Sequence, residues 1–369
     1  MSSKILFILH LPPPIHGAAM MGKYIQGSEL INSSFDCFCI NLATAGSLSD
    51  IGLISLKKLL KYFFLLKHIS HVVREIRPEL VYITPNAGGK AFFKDFIVVQ
   101  MLKSMECKVI AHYHNKGVSV YQSKWVYNFF YKRFFSNLKV ILLAENLYKD
   151  MARYVKREDV YICPNGIPSS CKEEMEARRN NVIPHLLFLS NLLISKGVTV
   201  LLDALKILKE KEYTFVCQLV GGETSEIGVV QFSEEVDKRN LNDRVAYVGR
   251  KIGEEKEAFL RQADIFVFPT YYYNECFPLV ILEAMEYKLP VISTNEGGIP
   301  DIVKNGENGL ICEKRNPDSL ADCIARLLDD EGLRIKMGNA GYEKFRREFT
   351  LDKFENRMTD ILNQNLLSS

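Results

Sequence analysis

The chain has 369 residues, 47% of them hydrophobic and 25% charged, which is too long for one ordinary domain and suits two of about 150–200 residues each. There is no low-complexity tract, and the nine cysteines form no C-x-x-C pair or other metal-ligand spacing, so a low-complexity chain, a disulfide framework and a cysteine-held metal are excluded and reduced thiols in a cytoplasm are expected. The net charge of +3 hides an asymmetry, since residues 1–165 hold 21 Lys and Arg against 11 Asp and Glu and the remainder 26 against 33; the first half is expected to meet something anionic or lie against an anionic surface, with no nucleic-acid partner indicated.

In chain order, Met1 to Leu11 is a short apolar run behind Lys4 that ends in Pro12-Pro13-Pro14 without a small-residue cleavage site. A first buried strand, Ile5–Leu9, explains it better than a signal peptide. His10 to Met20 follows, with small residues at Gly17, Ala18 and Ala19 where a backbone can approach a ligand closely at a helix start. Two basic-aromatic stretches come next: Lys57 to about Ile76, which reads as an amphipathic helix, and Trp125 to Phe135. Their composition suits lying on anionic lipid headgroups, and equally suits helices that pack apolar faces onto a sheet. Further strands are expected at Leu80–Ile83, Lys108–His112, Val140–Leu143 and Val160–Cys163. The third of the five ends as His112-Tyr113-His114-Asn115, which puts two imidazoles on one face; each is either a satisfied polar residue or a ligand contact.

Ser169 to Pro184 is polar and charged and reads as a linker, giving domains of 1–168 and 185–349, with a C-terminal helix over about 350–369 that can pack back on the first. In the second half strands are expected at Leu186–Leu189, Phe215–Val220, Val245–Val248, Ile265–Phe268 and Val291–Ser293. Strands alternating with helices throughout predict an α/β protein with two Rossmann-like domains facing across a cleft, and ligands bound beyond the carboxyl ends of the strands. No transmembrane span is visible.

The richest segment follows Phe268. A polar loop, Pro269 to Phe277, leads to Pro278, where a missing N–H suits a helix start. The N–H groups of Phe277, Leu279 and Val280 would then serve phosphate or sugar oxygens, helped by the helix dipole. Glu283 lies further on among Val280, Ile281, Leu282, Ala284 and Met285. A carboxylate in so apolar a helix needs donors, which ribose hydroxyls would supply; the alternative is a solvent-facing Glu283 or one paired with a neighbouring arginine.

Glu275 to Glu283 resembles the E-x7-E motif of the family-four retaining glycosyltransferases, which have the GT-B fold. The runs Leu289 to Val303 and Asn305 to Leu310 resemble that family's next two signatures, so about forty continuous residues carry the likeness. The resemblance implies that Glu275 contacts donor-sugar hydroxyls near the reacting carbon, that Glu283 holds the nucleotide ribose, and that the backbone of Phe277, Leu279 and Val280 cradles the sugar and distal phosphate. Cys276 stands where glycine is common. Ser190 to Gly197 resembles the family's diphosphate-binding loop, in which an arginine and a lysine neutralise the leaving group. Lys196 fits the lysine, and Asn191 stands where the arginine is expected. Arg250 and Lys251 are the candidate replacement cations. In the first half Gly17 is a contact candidate and His16 a lesser one. His114, with His112 as its rival, suits the family's sugar-contacting histidine, and Asn165-Gly166 suits a structural turn.

The resemblance therefore implies a metal-independent retaining transferase. It would use a nucleotide-sugar, most often a UDP-sugar, with no cofactor. A glycan or lipid-linked acceptor of bacterial cell-surface biosynthesis is expected, and a cytoplasmic location, with contact at the inner face of the membrane if the basic-aromatic stretches bind lipid. Two rivals stand beside it. Nucleotide-sugar epimerases share the fold but lack the Glu275–Glu283 arrangement. A non-catalytic sugar-binding relative would suit the loss of arginine at 191 but not the retention of Lys196, Glu275 and Glu283.

Overall fold

The computed structural model describes residues 2–13, 16–42, 56–169 and 181–367, with the side chains of all of these except 56–58. The chain divides into two compact units, Met1–Gly166 with Leu351–Ser369, and Ile167–Thr350. The expected linker falls largely on residues 170–180, outside the described residues.

The first unit runs β1 (Lys4–Leu9), α1 (Gly17–Gly27), α2 (Glu29–Ser34), β2 (Asp36–Asn41), α3 (Leu56–Ile76), β3 (Leu80–Ile83), α4 (Gly89–Ser104), β4 (Val109–Tyr113), α5 (Val118–Tyr121), α6 (Trp125–Phe135), β5 (Lys139–Leu142) and β6 (Val160–Ile162). Its strands form one sheet in the order β2-β1-β3-β4-β5-β6, every pair parallel. The central strands are largely apolar because helices cover both faces of a parallel sheet; β3 and β4 are buried at every position, His112 of β4 included. The C-terminal helix, Leu351–Leu367, packs on α2.

The second unit runs β7 (His185–Leu189), α7 (Val198–Glu210), β8 (Val216–Val220), α8 (Val229–Asp237), β9 (Val245–Gly249), α9 (Gly253–Gln262), β10 (Ile265–Phe268), α10 (Leu279–Glu286), β11 (Val291–Thr294), α11 (Ile299–Ile302), β12 (Gly309–Cys312), α12 (Pro317–Asp329) and α13 (Glu331–Glu348). Its sheet is β12-β11-β10-β7-β8-β9, again all parallel. Strand order reverses between β7 and β10, and in the first unit between β1 and β3. Such reversals open a crevice beyond the carboxyl ends of two adjacent strands, because their connections leave in opposite directions.

Ten of the twelve strands lie within a residue of the expected apolar runs. The other two, β2 and β12, escape a reading based on apolar runs, and both are edge strands. β2 reads Asp36-Cys37-Phe38-Cys39-Ile40-Asn41, with only Ile40 buried, and β12 is four residues opened by a glycine. β2, covered on fewer sides, needs no continuous apolar run, whereas β12 is mostly buried but too short, with its opening glycine, to stand out.

Two glycines let the second unit's loops interlock. Gly197 has φ +89°, and a methyl group there would overlap the Pro269 carbonyl oxygen; Gly297 has φ +56°, and its methyl group would overlap the carbonyl oxygen of Glu275. Both therefore hold neighbouring loops against the segment that carries Glu275. Gly297→Ala combines left-handed backbone strain with overpacking, and is expected to cost about 2–4 kcal/mol, read as a lower denaturation midpoint. An unchanged midpoint would contradict this backbone contact.

Candidate active site

In the second unit the loops after β7 and β10, on either side of the strand reversal, bring two sequence candidates together. Lys196 ends a single 3-10 turn, Ile194–Lys196, which Gly197 closes. Its Nζ lies 2.5 Å from Glu275 Oε2, with the two side chains only 16% and 10% exposed. The same ammonium sits 4.7 Å from the ring centroid of Tyr272 and 5.4 Å from that of Phe268. Thr270 Oγ1 stands 3.5 Å from Glu275 Oε2. Burial makes either charge costly alone, so each holds the other in place, while aromatic faces favour the cation on its far side.

The loop from Pro269 ends at Pro278, the N-cap of α10, and no side chain caps the helix. The first amides of an α-helix have no intrahelical acceptor, so Leu279 and Val280 present N–H groups at this end. One and a half turns on, Glu283 Oε1 accepts a 2.9 Å ion pair from Lys256 Nζ on α9. Glu283 Oε2 is buried without a partner. A carboxylate with one oxygen fixed by a cation and the other buried and unmatched is set to accept a donor from a ligand.

Sequence reasoning missed Lys256. No local signal marked it, since a lysine beside Glu254 and Glu255 at the start of α9 reads as solvated. Of the two nominated cations, Arg250 is exposed at the end of β9 and Lys251 pairs with Glu255 at 3.4 Å. Asn191, on the loop after β7, accepts the Gly222 N–H through Oδ1 at 3.1 Å and so ties this loop to the one after β8. Phe277 is buried and stacks edge-on against Phe349. Cys276 is buried as well.

The first unit's strand reversal holds imidazoles. His10 Nδ1 lies 3.1 Å from Thr84 Oγ1 at the end of β3. His16 caps α1, its Nδ1 accepting the Ala19 N–H at 3.2 Å, which leaves the ring proton on Nε2. Gly17, the first residue of α1, is exposed, with open space where a side chain would stand. The glycine that packing demands is Gly22, unmarked in the sequence reading, where a methyl group would overlap the His10 carbonyl oxygen. His112 is fully buried and bonds Tyr82 through Nδ1 at 2.6 Å, whereas both ring nitrogens of His114 are buried without a partner. The two rings are 4.3 Å apart. Burial, then the neighbouring His10 and His16, push the His114 pKa down to about 3; burial, then His16 and Lys94, push that of His10 down to about 4. Both imidazoles are neutral at physiological pH and can exchange hydrogen bonds with hydroxyls without carrying charge.

Among the described residues no group of three or more His, Cys, Asp or Glu is arranged to hold a metal ion. No described helix is long and apolar enough to cross a membrane.

Two all-parallel six-stranded units, each with polar side chains at its strand reversal, define the GT-B architecture. Residues 176–344, within the second unit, match the family model of the glycosyl transferases group 1. It is 31% identical over 163 residues to the capsular polysaccharide biosynthesis glycosyltransferase CapM of Staphylococcus aureus, a match covering 44% of this chain and 41% of that protein. The chain spans less than half the length of this and the other curated relatives it matches at 30% identity or more. Among solved structures, sucrose-phosphate synthase from Thermosynechococcus elongatus superposes with a TM-score of 0.78 at 20% identity over all of both chains. HepE from Anabaena, in a crystal structure with UDP-glucose, superposes with a TM-score of 0.72 at 18% identity, covering 98% of this chain and 99% of that one.

The depressed histidines make stability depend on pH with a definite sign. The unfolded chain takes up protons near pH 6.5 that the folded His10 and His114 refuse until about pH 3–4. Their stabilising effect is full above pH 6.5 and is lost as pH falls through this window. At pH 5 each is expected to cost about 2 kcal/mol relative to pH 7. Denaturation midpoints of the wild type and His114→Asn, compared at the two pH values, should show a shallower loss in the variant; equal slopes would contradict the neutral His114.

Proposed function

We propose that the chain is a retaining, metal-independent glycosyltransferase. It would work in the cytoplasm, moving a sugar from a nucleotide-sugar, in the first place a UDP-sugar, onto a glycan or lipid-linked acceptor of bacterial cell-surface polysaccharide synthesis. The observation that carries this reading is the contact of Lys196 with Glu275 at the strand reversal, beside the uncapped start of α10. A nucleoside diphosphate leaving from sugar carbon C1 gathers negative charge. Fixed cations and oriented N–H groups stabilise that charge by several kcal/mol because they need no reorganisation. Lys196 and the amides of Leu279 and Val280 are assigned this work. Glu275 is assigned the hydroxyls of the transferred sugar, and Glu283, through its unmatched Oε2, the ribose. From the first unit, His114 is assigned a sugar hydroxyl and Gly17 a close backbone approach. The UDP-glucose complex of HepE supports the donor class, and the likeness to CapM supports the polysaccharide acceptor.

In the proposed step the C1–phosphate oxygen bond breaks, the acceptor hydroxyl oxygen bonds C1 from the same face, and the leaving phosphate oxygen takes the hydroxyl proton. The anomeric configuration is kept. Glu275, already engaged by Lys196 and close to Thr270, suits a hydrogen-bond acceptor better than a covalent nucleophile. Asn191 in place of arginine favours a second reading, a non-catalytic binder of nucleotide-sugars.

Radiolabelled UDP-sugars incubated with the protein and a membrane extract separate these readings: label moves to the acceptor, or the donor is bound unchanged. An epimerised donor would overturn both. Glu283→Ala should weaken UDP-sugar binding by about 1.5–3 kcal/mol, roughly 10–150-fold, and undiminished binding would refute the ribose assignment. Glu275→Gln frees Lys196 from its counter-charge. Free UDP should then bind at least as tightly as to the wild type while transfer falls by about a hundredfold or more; weaker UDP binding would mean that Glu275 serves the nucleotide and not the sugar.

A further inference from the structure

In the described part of the first unit, the exposed large apolar side chains other than Leu367 fall on four helices. They are Leu59, Leu60, Phe63 and Phe64 on α3, Ile97 on α4, Val120 on α5, and Trp125 and Phe129 on α6. The same segment of α6 turns Tyr131, Phe134 and Phe135 inward onto the core, so its outward aromatics are surplus to packing.

These helices adjoin one another. Tyr62 of α3 donates its hydroxyl to the Lys94 carbonyl of α4 at 2.6 Å, and Phe96 of α4 meets Phe130 of α6 with ring centroids 4.8 Å apart. Exposed rings carry cations over them: Lys67 Nζ lies 4.7 Å from the Phe63 centroid and the Arg133 guanidinium 5.8 Å from that of Phe129. Residues 59–76, 89–104 and 116–135 hold ten Lys and Arg against two acidic residues, Glu75 and the buried Asp95.

We infer that this face docks on the surface of an anionic lipid bilayer. Aromatic rings flanked by lysine and arginine match a headgroup layer, where an apolar body enters the acyl boundary and a charged tip stays with phosphate. A second copy of the chain would bring like charges together across such a face, and a soluble polyanion would leave the apolar side chains in water. An acidic membrane satisfies both parts. The docking goes beyond the transferase reading and does not depend on it, although it would bring a lipid-linked acceptor within reach.

The protein carries its own reporter, for Trp125 is its one tryptophan and is 80% exposed. The full chain is mixed with vesicles of phosphatidylcholine containing a third phosphatidylglycerol, and with vesicles of phosphatidylcholine alone. On the anionic vesicles Trp125 emission is expected to shift to shorter wavelength and to become shielded from an aqueous quencher, and the protein to sediment with the lipid; half-molar salt should reduce the binding. Phe64→Ser with Phe129→Ser, both at exposed positions, should lower partitioning at least about tenfold and leave UDP-sugar binding unchanged. Lys61→Glu with Lys132→Glu should remove the preference for anionic lipid. Unshifted Trp125 emission, equal binding to both vesicle types, or a salt-stable dimer in light scattering that hides Trp125 without lipid would each overturn the inference. Loss of transfer alone, with vesicle binding intact, would count only against the transferase reading.

Discussion

One ion pair organises the second unit's chemistry. Lys196 and Glu275 sit 2.5 Å apart on loops that follow β7 and β10, the two neighbouring strands whose connections diverge. Neither charge would be stable alone at this degree of burial, so the loops are fixed relative to each other by their side chains as well as by sheet pairing. Gly197 and Gly297 press further backbone onto the same segment. The pair is also electrically neutral as a unit. Under the proposed chemistry a diphosphate would meet a cation whose counter-charge could turn to sugar hydroxyls.

The two units present opposite electrostatics at equivalent places. At the second unit's reversal the groups are ionised and paired. At the first unit's reversal they are neutral imidazoles, held so by burial and by one another's proximity. A neutral ring suits hydroxyl partners, since it can donate from one nitrogen and accept at the other. His16 adds a fixed tautomer, because its Nδ1 is engaged by the start of α1. Under the proposed chemistry this divides the labour: charge meets the leaving group, and uncharged donors and acceptors meet the sugar.

Much of this was legible in the chain, and what was not has physical reasons. Parallel strands covered on both faces are mostly apolar, so the eight interior ones declare themselves, and the edge strands β6 and β9 keep enough apolar residues to do so too. Of the other two edge strands, β2 has two cysteines and two polar ends and buries only Ile40, and β12 is short and opened by Gly309, so neither stands out as an apolar run. Glu275 and Lys196 were readable from local motifs, but their mutual contact was not, because it is made by the fold across 79 positions of sequence. Lys256 was hidden for a related reason. A lysine in an acidic helix reads as solvated, and only the packing of α9 near α10 gives it Glu283 as partner. Alternation could not separate His112 from His114; the fold places His112 inside β4 with Nδ1 bonded to Tyr82 on the next strand, and His114 just past the strand's end with both ring nitrogens unpartnered.

Asn191 shows how a substitution in a binding loop can be structural first. Its Oδ1 accepts a backbone N–H from Gly222, a bond that an arginine, having donors alone, could not make. The asparagine therefore anchors the loop to the one after β8, and a cation is given up for that anchor. Under the proposed chemistry, one lysine in place of an arginine and a lysine would attract a leaving diphosphate less strongly, on the ground-state nucleotide as well as on the transition state. Only the difference between the two affects the chemical step. Under the proposed chemistry, a loop held to its neighbour by Asn191 that grips the released nucleotide less tightly is compatible with turnover, and the missing cation weighs toward the non-catalytic reading only if the remaining donors fail to follow the charge as it develops.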